Sequence, residues 1–241
     1  MKVTLLAYTP NPAEIAEIGA KTCYSSDAPS QIIPTEDKIA LKRAVDSGHH
    51  SVLEHANFTF AVEGVSRALT HQLVRHRVAS FSQQSQRYVK MDKLRDNIVI
   101  PQSVRTPDSG DSFPDGIYST DEAVDEKINH YMSALESLAE ELRNDGVPEE
   151  DIRYFYPNGL MTNIVVTMNA RELLHFFSLR CCTRAQWEIR MLAKSMLALC
   201  KEVCPEIFEN AGASCEQLGY CPEVKSCGKV ITLKEIKQKS N

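Results

Sequence analysis

The sequence has no long apolar run. No stretch reaches the roughly eighteen consecutive apolar residues that a membrane-spanning helix needs, which predicts a protein without a membrane span. A basic excess is missing as well, because 27 Lys and Arg stand against 32 Asp and Glu and give a formal net charge of −5. A general nucleic-acid binder carries surplus positive charge. We therefore expect no nucleic-acid partner.

The N-terminal segment MKVTLLAYTPNPAE lacks the apolar core of a signal peptide, because it turns polar too soon. Its alternation instead predicts a first strand. Without a secretion signal, the eight cysteines are expected to be reduced thiols of a cytoplasmic protein.

Motifs of two kinds of site are also missing. No G-x-G-x-x-G and no G-x-x-x-x-G-K-[ST] occurs, so any nucleotide is held by something other than a Rossmann fingerprint or a P-loop. His50 and His55 are five residues apart, which does not fit the H-x-x-E-H of zinc enzymes. No C-x2–4-C pair occurs among the last four cysteines, for which buried or idle thiols are expected and a zinc or iron–sulfur site is the alternative. The four cysteines there are Cys204, Cys215, Cys221 and Cys227.

The order of predicted elements indicates an α+β protein. With 241 residues the chain suits one large domain or two small ones. Strands are predicted at 2–8, 57–65 and 161–168. Helices are predicted at 12–22, from an N-cap at Thr35 to about Gly48, from an N-cap at Ser66 toward Arg75, at 121–144, from Pro148, at 170–181 and at 185–203.

A regular βαβ alternation is absent, so we expect a single domain with a mixed, partly antiparallel sheet and flanking helices. The domain is predicted to span 1–210, followed by a cysteine-containing C-terminal extension at 211–241 that packs on it or trails from it. Residues 105–120 are rich in Pro, Gly, Asp and Ser and predict a loop. One stripe is predicted to make the core face of the 121–144 helix: Val124, Ile128, Leu135, Leu138 and Leu142.

Positive charge is concentrated in the segment RHRVASFSQQSQRY at 75–88. It holds three guanidinium groups, one imidazole, three amides and four hydroxyl-bearing residues in fourteen positions. Arginine presents a planar fork of donors that suits phosphate and carboxylate, and it stays charged at any working pH. Composition alone allows either a solvated basic face or a site for a small anion.

The segment closely resembles the RHR-x7-S signature of the flavin-dependent thymidylate synthases, through Arg75, His76, Arg77 and Ser85. Four further segments fit that family in the same order: GHHSVLEHANFTF at 48–60, VPEEDIRYFYP at 147–157, NARELLHFFSLR at 169–180 and AQWEI at 185–189. The resemblance runs to about residue 210. It implies the family's α+β fold and a homotetramer with flavin sites where subunits meet.

The resemblance also implies a reaction. Methylenetetrahydrofolate would donate a one-carbon unit to dUMP, and FAD reduced by NADPH would supply the hydride that completes the methyl group of dTMP. Arg180 falls on the pyrimidine-contacting position. A guanidinium beside the ring favours loss of the N3 proton, and the resulting anion makes carbon 5 nucleophilic.

The remaining site residues follow from the same resemblance. The flavin-contacting positions are Ser51, Arg75, His76, Arg77, Gln83, Asn169, Arg171, His175 and His49. The dUMP-contacting positions are Gln72, Leu73, Val74, Arg75, Gln83, Gln84, Ser85, Gln86, Arg87, Arg153 and Arg180. Two of these depart from some relatives, which carry Asn in place of His175 and Glu in place of Gln83.

Several alternatives stay open at this level. Arg171 and Arg180 could form ordinary salt bridges, for example to Glu172 or Glu188. Ser85 could act as a nucleophile with His76 as base, although a hydrogen bond to the nucleotide phosphate is preferred. Cys181 and Cys182 follow Arg180 directly and are expected to be packing residues rather than thiolate nucleophiles. The rival functions are a non-catalytic nucleotide-binding protein and a different flavoprotein.

Overall fold

The computed structural model describes residues 1–101 and 122–239, so the predicted loop at 105–120 lies outside the described residues. Its strands are β1 (Lys2–Tyr8), β2 (Asn57–Ser66), β3 (Ala79–Gln83) and β4 (Met161–Asn169). Its helices are α1 (Pro12–Thr22), α2 (Ile39–Asp46), α3 (Arg67–Leu73), α4 (Glu122–Asn144), α5 (Glu149–Ile152), α6 (Ala170–Arg180), α7 (Trp187–Val203), α8 (Pro205–Phe208), α9 (Ser214–Leu218) and α10 (Leu233–Lys239). Short 3-10 turns lie at Pro29–Gln31, His50–His55 and Arg153–Phe155.

The strands form one sheet in the order β1-β2-β4-β3. β2 and β4 run antiparallel, since Thr59 bonds to Thr167 while Gly64 donates to Asn163. The α+β class and the three predicted strands are confirmed. β3 was not predicted, because its residues lie within the polar 75–88 segment.

Contacts divide the chain into two compact units. The first consists of Met1–Val62, Gln72–Ser82 and Val165–Asn241, and the second of Glu63–His71 and Gln83–Ile164. The domain boundary predicted at residue 210 stays a prediction.

Aromatic rings fill the core of the first unit. The ring of Phe208 meets that of Phe58 edge-on at 5.3 Å and that of Phe177 at 6.0 Å, and Phe176 lies 5.7 Å from Phe177. All four side chains are fully buried. This packing fixes α6 against β2, because Phe176 and Phe177 belong to α6 and Phe58 to β2.

A smaller core of Leu94, Met132, Leu135 and Leu160 stabilises the second unit. The predicted stripe on α4 was partly wrong, because Leu138 is 39% exposed whereas Met132 is fully buried. The helix turns Ile128, Met132 and Leu135 inward, and two of these, Ile128 and Leu135, belong to the predicted stripe. α5 begins after Pro148, which is its N-cap residue and not a first-turn residue as predicted.

The N-terminus of α2 is capped from another helix. The predicted N-cap Thr35 lies four residues before α2, which begins at Ile39. The hydroxyl of Thr35 accepts from the amide of Ile39 at 3.3 Å and donates to Glu17 at 2.8 Å. The fully buried carboxylate of Glu17 on α1 accepts from the next two amides, those of Ala40 at 3.4 Å and Leu41 at 2.6 Å. Burial alone would raise the pKa of Glu17, but these donors bring the pKa below its ordinary value of 4.5.

The C-terminal segment makes specific contacts within the first unit. Ser214 donates to the carbonyl of Ser178 at 3.2 Å, and Arg184 donates to the carbonyl of Lys225 at 2.5 Å. All eight cysteines are free thiols, and in the described ranges no three His, Cys, Asp or Glu side chains are arranged to hold a metal ion. No helix of the described part of the chain is both long and apolar enough to cross a membrane.

Candidate active site

α6 carries the polar side chains of the first unit's site. Asn169 caps the helix, since its side-chain oxygen accepts from the amide of Glu172 at 2.9 Å. Glu172, Phe176 and Arg180 follow at intervals of four residues and so lie within an arc of about 80° on one helix face. The sequence of α6 therefore presents a carboxylate, a ring and a guanidinium in one row.

His76 packs against that row. Its ring is only 5% exposed and meets the ring of Phe176 edge-on at 4.9 Å. Nδ1 lies 2.9 Å from Oε1 of Glu172, and Nε2 accepts from Nε of Arg180 at 3.1 Å. Burial, above all, lowers the pKa of His76; the hydrogen bond to Glu172 opposes this effect and the charge of Arg180 adds to it.

Arg180 has no ion pair among the residues that the structure describes. Burial lowers the pKa of its guanidinium, although an arginine stays protonated at any working pH. The side chain lines a cavity of about 470 Å³ together with the C-terminal segment. The salt bridge to Glu172 or Glu188 that was considered for Arg180 is thus replaced by a bond to a neutral side chain.

Three predicted flavin-contacting residues line a second cavity, of about 510 Å³: Asn169, Arg171 and His175. Arg171 lies 2.5 Å from Glu54, which differs from the partners Glu172 and Glu188 considered from the sequence. Both side chains of that pair are about half exposed, so the pair contributes little stability and can exchange for a ligand.

Arg75 and Arg77 are exposed on either side of the buried His76. Neither arginine forms an ion pair within the described ranges. His49 and Ser51 are exposed as well, at the start of the 3-10 turn after α2. The RHR triplet therefore presents two cations outward and one imidazole inward.

The residues predicted to contact dUMP at the end of α3 differ in exposure. Of the predicted residues there, Leu73 is fully buried in the core and Val74 is 42% exposed, while Gln72 is half-buried. Ser66 caps this helix as predicted, with its hydroxyl accepting from the amide of Leu69 at 3.0 Å.

The second unit holds the predicted dUMP-contacting residues from Gln83 to Arg87. Gln83 donates to the hydroxyl of Thr70 at 3.0 Å, and the amide of Gln84 donates to the carbonyl of Asn163 at 2.9 Å. The hydroxyl of Ser85 accepts from the amide of Arg87 at 3.2 Å, and Gln86 is half-buried. The segment is thus fixed by its own backbone and by β4.

Two predicted cations of this unit share Glu150. Arg87 pairs with its carboxylate at 2.9 Å, and Arg153 donates to its carbonyl at 3.0 Å. The Arg87–Glu150 pair is half exposed, so an anionic ligand can compete for Arg87.

Arg67 is a further residue of this unit that the sequence did not assign to the site. It donates from Nη2 to the carbonyl of Gln84 at 2.8 Å, and its buried Nε has no hydrogen-bond partner in the described structure. Burial and then the nearby charge of Arg153 lower the pKa of Arg67. Two guanidinium groups that repel each other beside the Gln83–Arg87 segment favour an anion there. The sequence places Arg67 among the local arginines whose distribution fits a small anionic ligand, but it assigns this residue no ligand contact.

The two sequence-based alternatives for nucleophiles find little support. Both ring nitrogens of His76 are occupied, by Glu172 and Arg180, so the ring is not available as a base for Ser85. Burial raises the pKa of Cys181 to about 11, which keeps this thiol protonated near neutral pH.

Known proteins resemble this chain over almost its whole length. The family model described as thymidylate synthase complementing protein matches residues 4–206. The flavin-dependent thymidylate synthase of Geobacter sulfurreducens is 46% identical, with 98% of this chain and 97% of that protein covered. The protein of the same name from Clostridium tetani is 45% identical, with 98% of this chain and 96% of that protein covered. The one from Pyrococcus horikoshii is 44% identical, with 92% of this chain and 90% of that protein covered.

Solved structures support the fold. The crystal structure of Thymidylate Synthase X from Helicobacter pylori with FAD and dUMP has a TM-score of 0.66 and 23% sequence identity to this chain. The match covers 88% of this chain and 98% of that one.

Proposed function

Because this chain belongs to the family of flavin-dependent thymidylate synthases, we propose that it converts dUMP to dTMP, with methylenetetrahydrofolate as carbon donor and NADPH as reductant of a bound FAD. The observation that carries the proposal is the arrangement around Arg180, a guanidinium without a carboxylate partner in the described residues that faces a cavity.

The residues present fit FAD, whose pyrophosphate is anionic. Arg75 and Arg77 are exposed cations without ion pairs in the described part of the chain, and Asn169, Arg171 and His175 line one cavity. Arginine forks suit phosphate oxygens. We assign these side chains, with His49, Ser51 and Gln83, to holding FAD. When bound, FAD supplies the hydride chemistry that side chains lack.

The second unit offers the groups that would hold the phosphate of dUMP. Ser85, Arg87 and Arg153 are the donors, and the backbone from Gln83 to Gln86 is already fixed. Arg67 adds positive charge and holds the carbonyl of Gln84. A phosphate would relieve the repulsion between Arg67 and Arg153, so its binding gains more than a contact with a single cation.

Arg180 would act on the pyrimidine. Its guanidinium cannot serve as a base at neutral pH, so its contribution is electrostatic. A fixed positive charge at the ring edge lowers the pKa of N3–H in uracil, and the anion delocalises toward carbon 5. Carbon 5 would then attack the methylene carbon of methylenetetrahydrofolate as one bond from that carbon to a folate nitrogen breaks, and carbon 5 would afterwards lose its proton. The second carbon–nitrogen bond would break when the hydride completes the methyl group, which releases tetrahydrofolate.

The assembly proposed with this function is a cytoplasmic homotetramer with flavin sites where subunits meet. The proposal is supported by two exposed apolar residues next to the RHR triplet: Val74 is 42% exposed and Val78 is 61% exposed. Light scattering of the FAD-loaded protein should give about four times the chain mass of 27.0 kDa. A monomer that binds one FAD per chain would contradict the proposal that the flavin sites lie where subunits meet.

The function is tested by an absorbance spectrum of the purified protein under anaerobic conditions. Flavin bands should bleach with NADPH and return only when dUMP and methylenetetrahydrofolate are both added, with dTMP found by chromatography. Return of the bands with neither substrate would favour a different flavoprotein. A protein that acquires no flavin bands with added FAD would favour a non-catalytic nucleotide-binding protein.

A further inference from the structure

Glu172 is a buried carboxylate that is among the residues lining the 510 Å³ cavity, and it is connected to Arg180 through His76. It is 9% exposed, and its Oε1 bonds to Nδ1 of His76 at 2.9 Å. The opposite nitrogen of the same ring accepts from Nε of Arg180 at 3.1 Å. One imidazole thus connects the carboxylate to the guanidinium.

The two contacts fix where the ring proton is. Nε of an arginine is always a donor and never an acceptor. Nε2 of His76 must therefore carry its lone pair, and in the neutral ring the proton is on Nδ1. That proton points at Oε1 of Glu172, which accepts it. Arginine at one end and carboxylate at the other select the same tautomer.

The arrangement also keeps the charge of Arg180 available. A carboxylate in direct contact would cancel much of the guanidinium charge, and the field at a ligand would fall. A neutral imidazole holds Nε in place without that loss and leaves the terminal amino groups of Arg180 for the ligand. The imidazole ring of His76 separates the carboxylate of Glu172 from the guanidinium of Arg180.

We propose that Glu172 is a positioning residue for the methylation of dUMP: by fixing the tautomer of His76 it sets the direction in which Arg180 presents its guanidinium to the pyrimidine. This inference rests on the proposed function, since it concerns the orientation of the residue that activates the uracil.

The tautomer is measured directly by nitrogen-15 NMR of the FAD-loaded protein labelled at histidine. His76, assigned from a His76→Gln sample, should show a protonated Nδ1 and an unprotonated Nε2 at neutral pH. In Glu172→Gln, whose amide offers both a donor and an acceptor, the two tautomers should be mixed. A wild-type His76 protonated on Nε2 would overturn the inference.

Kinetics give a readout that a purely structural role would not change. Protonated His76 cannot accept from Arg180, so kcat should fall as the pH falls through the pKa of His76. The carboxylate of Glu172 favours the imidazolium, whereas Arg180 and His175 disfavour it, and the flanking Arg75 and Arg77 are exposed. Removing the carboxylate charge should therefore move the acid limb of the kcat profile to lower pH.

In Glu172→Gln we also expect kcat at neutral pH to fall about 10- to 100-fold, while the KM for dUMP changes by less than about threefold. Glu188→Gln is the matched control, because it removes another buried glutamate, 2% exposed, at the start of α7. The acid limb of the kcat profile of Glu188→Gln should lie at the same pH as that of the wild type.

If Glu172→Gln had the same kcat and the same acid limb as the wild type, the positioning role would be refuted, whereas the proposed synthase function would stand. Wild-type protein that forms no dTMP yet has the Nδ1–H tautomer would refute the proposed function and, with it, the role of Glu172 in that reaction. The two failures are therefore distinguishable.

Discussion

At the scale of single residues, Arg180 and Arg171 show how neighbours on one helix receive different partners. Arg171 is paired with a half-exposed carboxylate, whereas Arg180 bonds to a buried imidazole. The first arginine can exchange its partner for a ligand at little cost, and the second is held in one direction. Orientation of this kind is what electrostatic stabilisation of an anion requires.

Arg180→Ala should keep bound FAD and lose dTMP formation by about 10³-fold, because the charge that stabilises the N3 anion is removed. The measurement is kcat with saturating substrates, together with flavin content from the spectrum. Arg180→Lys keeps a charge but loses the Nε bond to His76, so it should recover only part of the rate.

Arg190→Ala is the control for loss of an arginine, since Arg190 donates to the carbonyl of Thr183. Full turnover in Arg180→Ala would remove the proposed mechanism.

The single-residue assignments in the site come from two contiguous segments, the RHR-x7-S segment and the 169–180 segment, and they stay predictions. Glu172 and Arg67 were not assigned, because their roles come from contacts with His76 and Gln84, which are distant in sequence. No spacing rule connects residues 96 positions apart.

At the scale of elements, helix termini carry much of the site's precision. α6 begins at a side-chain cap, Asn169, that also lines the 510 Å³ cavity. At the start of α2, Glu17 of α1 accepts from the amides of Ala40 and Leu41. In both cases a polar side chain satisfies amides that the helix itself leaves unpaired.

Asn169→Ala should lower the free energy of unfolding by about 1 kcal/mol, because the cap of α6 is lost. Asn169→Asp keeps a capping oxygen and should unfold like the wild type. If the amide group also contacts FAD, both variants should weaken FAD binding by about fivefold. Urea unfolding and flavin titration separate the two roles, and full FAD affinity in Asn169→Asp would leave Asn169 as a cap alone.

Glu17 should make stability pH-dependent. Its pKa is lowered in the folded chain, so its carboxylate contributes stability above the ordinary pKa of 4.5, and this contribution is lost as the pH falls through the lower folded pKa. Glu17→Gln should cost about 1–3 kcal/mol at pH 7 and should lack this part of the acid-induced loss.

Urea unfolding of both proteins at neutral pH and at several values below pH 4.5 tests this expectation. Glu202→Gln is the control, since Glu202 is an exposed glutamate of α7. An equal acid-induced loss in wild type and Glu17→Gln would contradict the assignment.

Element boundaries followed the sequence where periodicity was strong and failed where the partner was remote. β2 and α1 were predicted nearly to the residue, because alternation or helical spacing is continuous. The predicted start of α2 was wrong by several residues: Thr35 accepts from the amide of Ile39, but the helix begins only there, where Glu17 accepts from the next two amides. A competing carboxylate from another helix has no local signature.

At the scale of the whole molecule, the thiols divide by burial. Cys23 and Cys227 are exposed, while Cys200 and Cys204 are buried. Burial raises the pKa of Cys204 to about 12 and that of Cys200 further, whereas a hydrogen bond with Thr183 lowers the pKa of Cys227. Reactivity depends on the thiolate and on access, so these groups should differ widely.

Alkylation of the native protein at pH 8, followed by mass spectrometry, should modify Cys23 and Cys227 first and Cys200 and Cys204 only after unfolding. All eight thiols should be modified in denaturant without reductant. Fewer than eight would reveal a disulfide or bound metal and would contradict the prediction of reduced thiols. Cys227→Ser should remove one fast site, whereas Cys200→Ser should remove none.

The sequence by itself determined the fold class, the main elements and the family, because each of these depends on contiguous patterns: alternation in β2, helical spacing in α1 and the motifs around Arg75 and Asn169. Only the tertiary structure decided which polar groups meet. It turned His76 inward between Glu172 and Arg180, capped α2 with Glu17 and set Arg67 beside Arg153. Those pairings follow from side-chain packing and burial between remote segments, where the need to satisfy buried polar groups selects the partners.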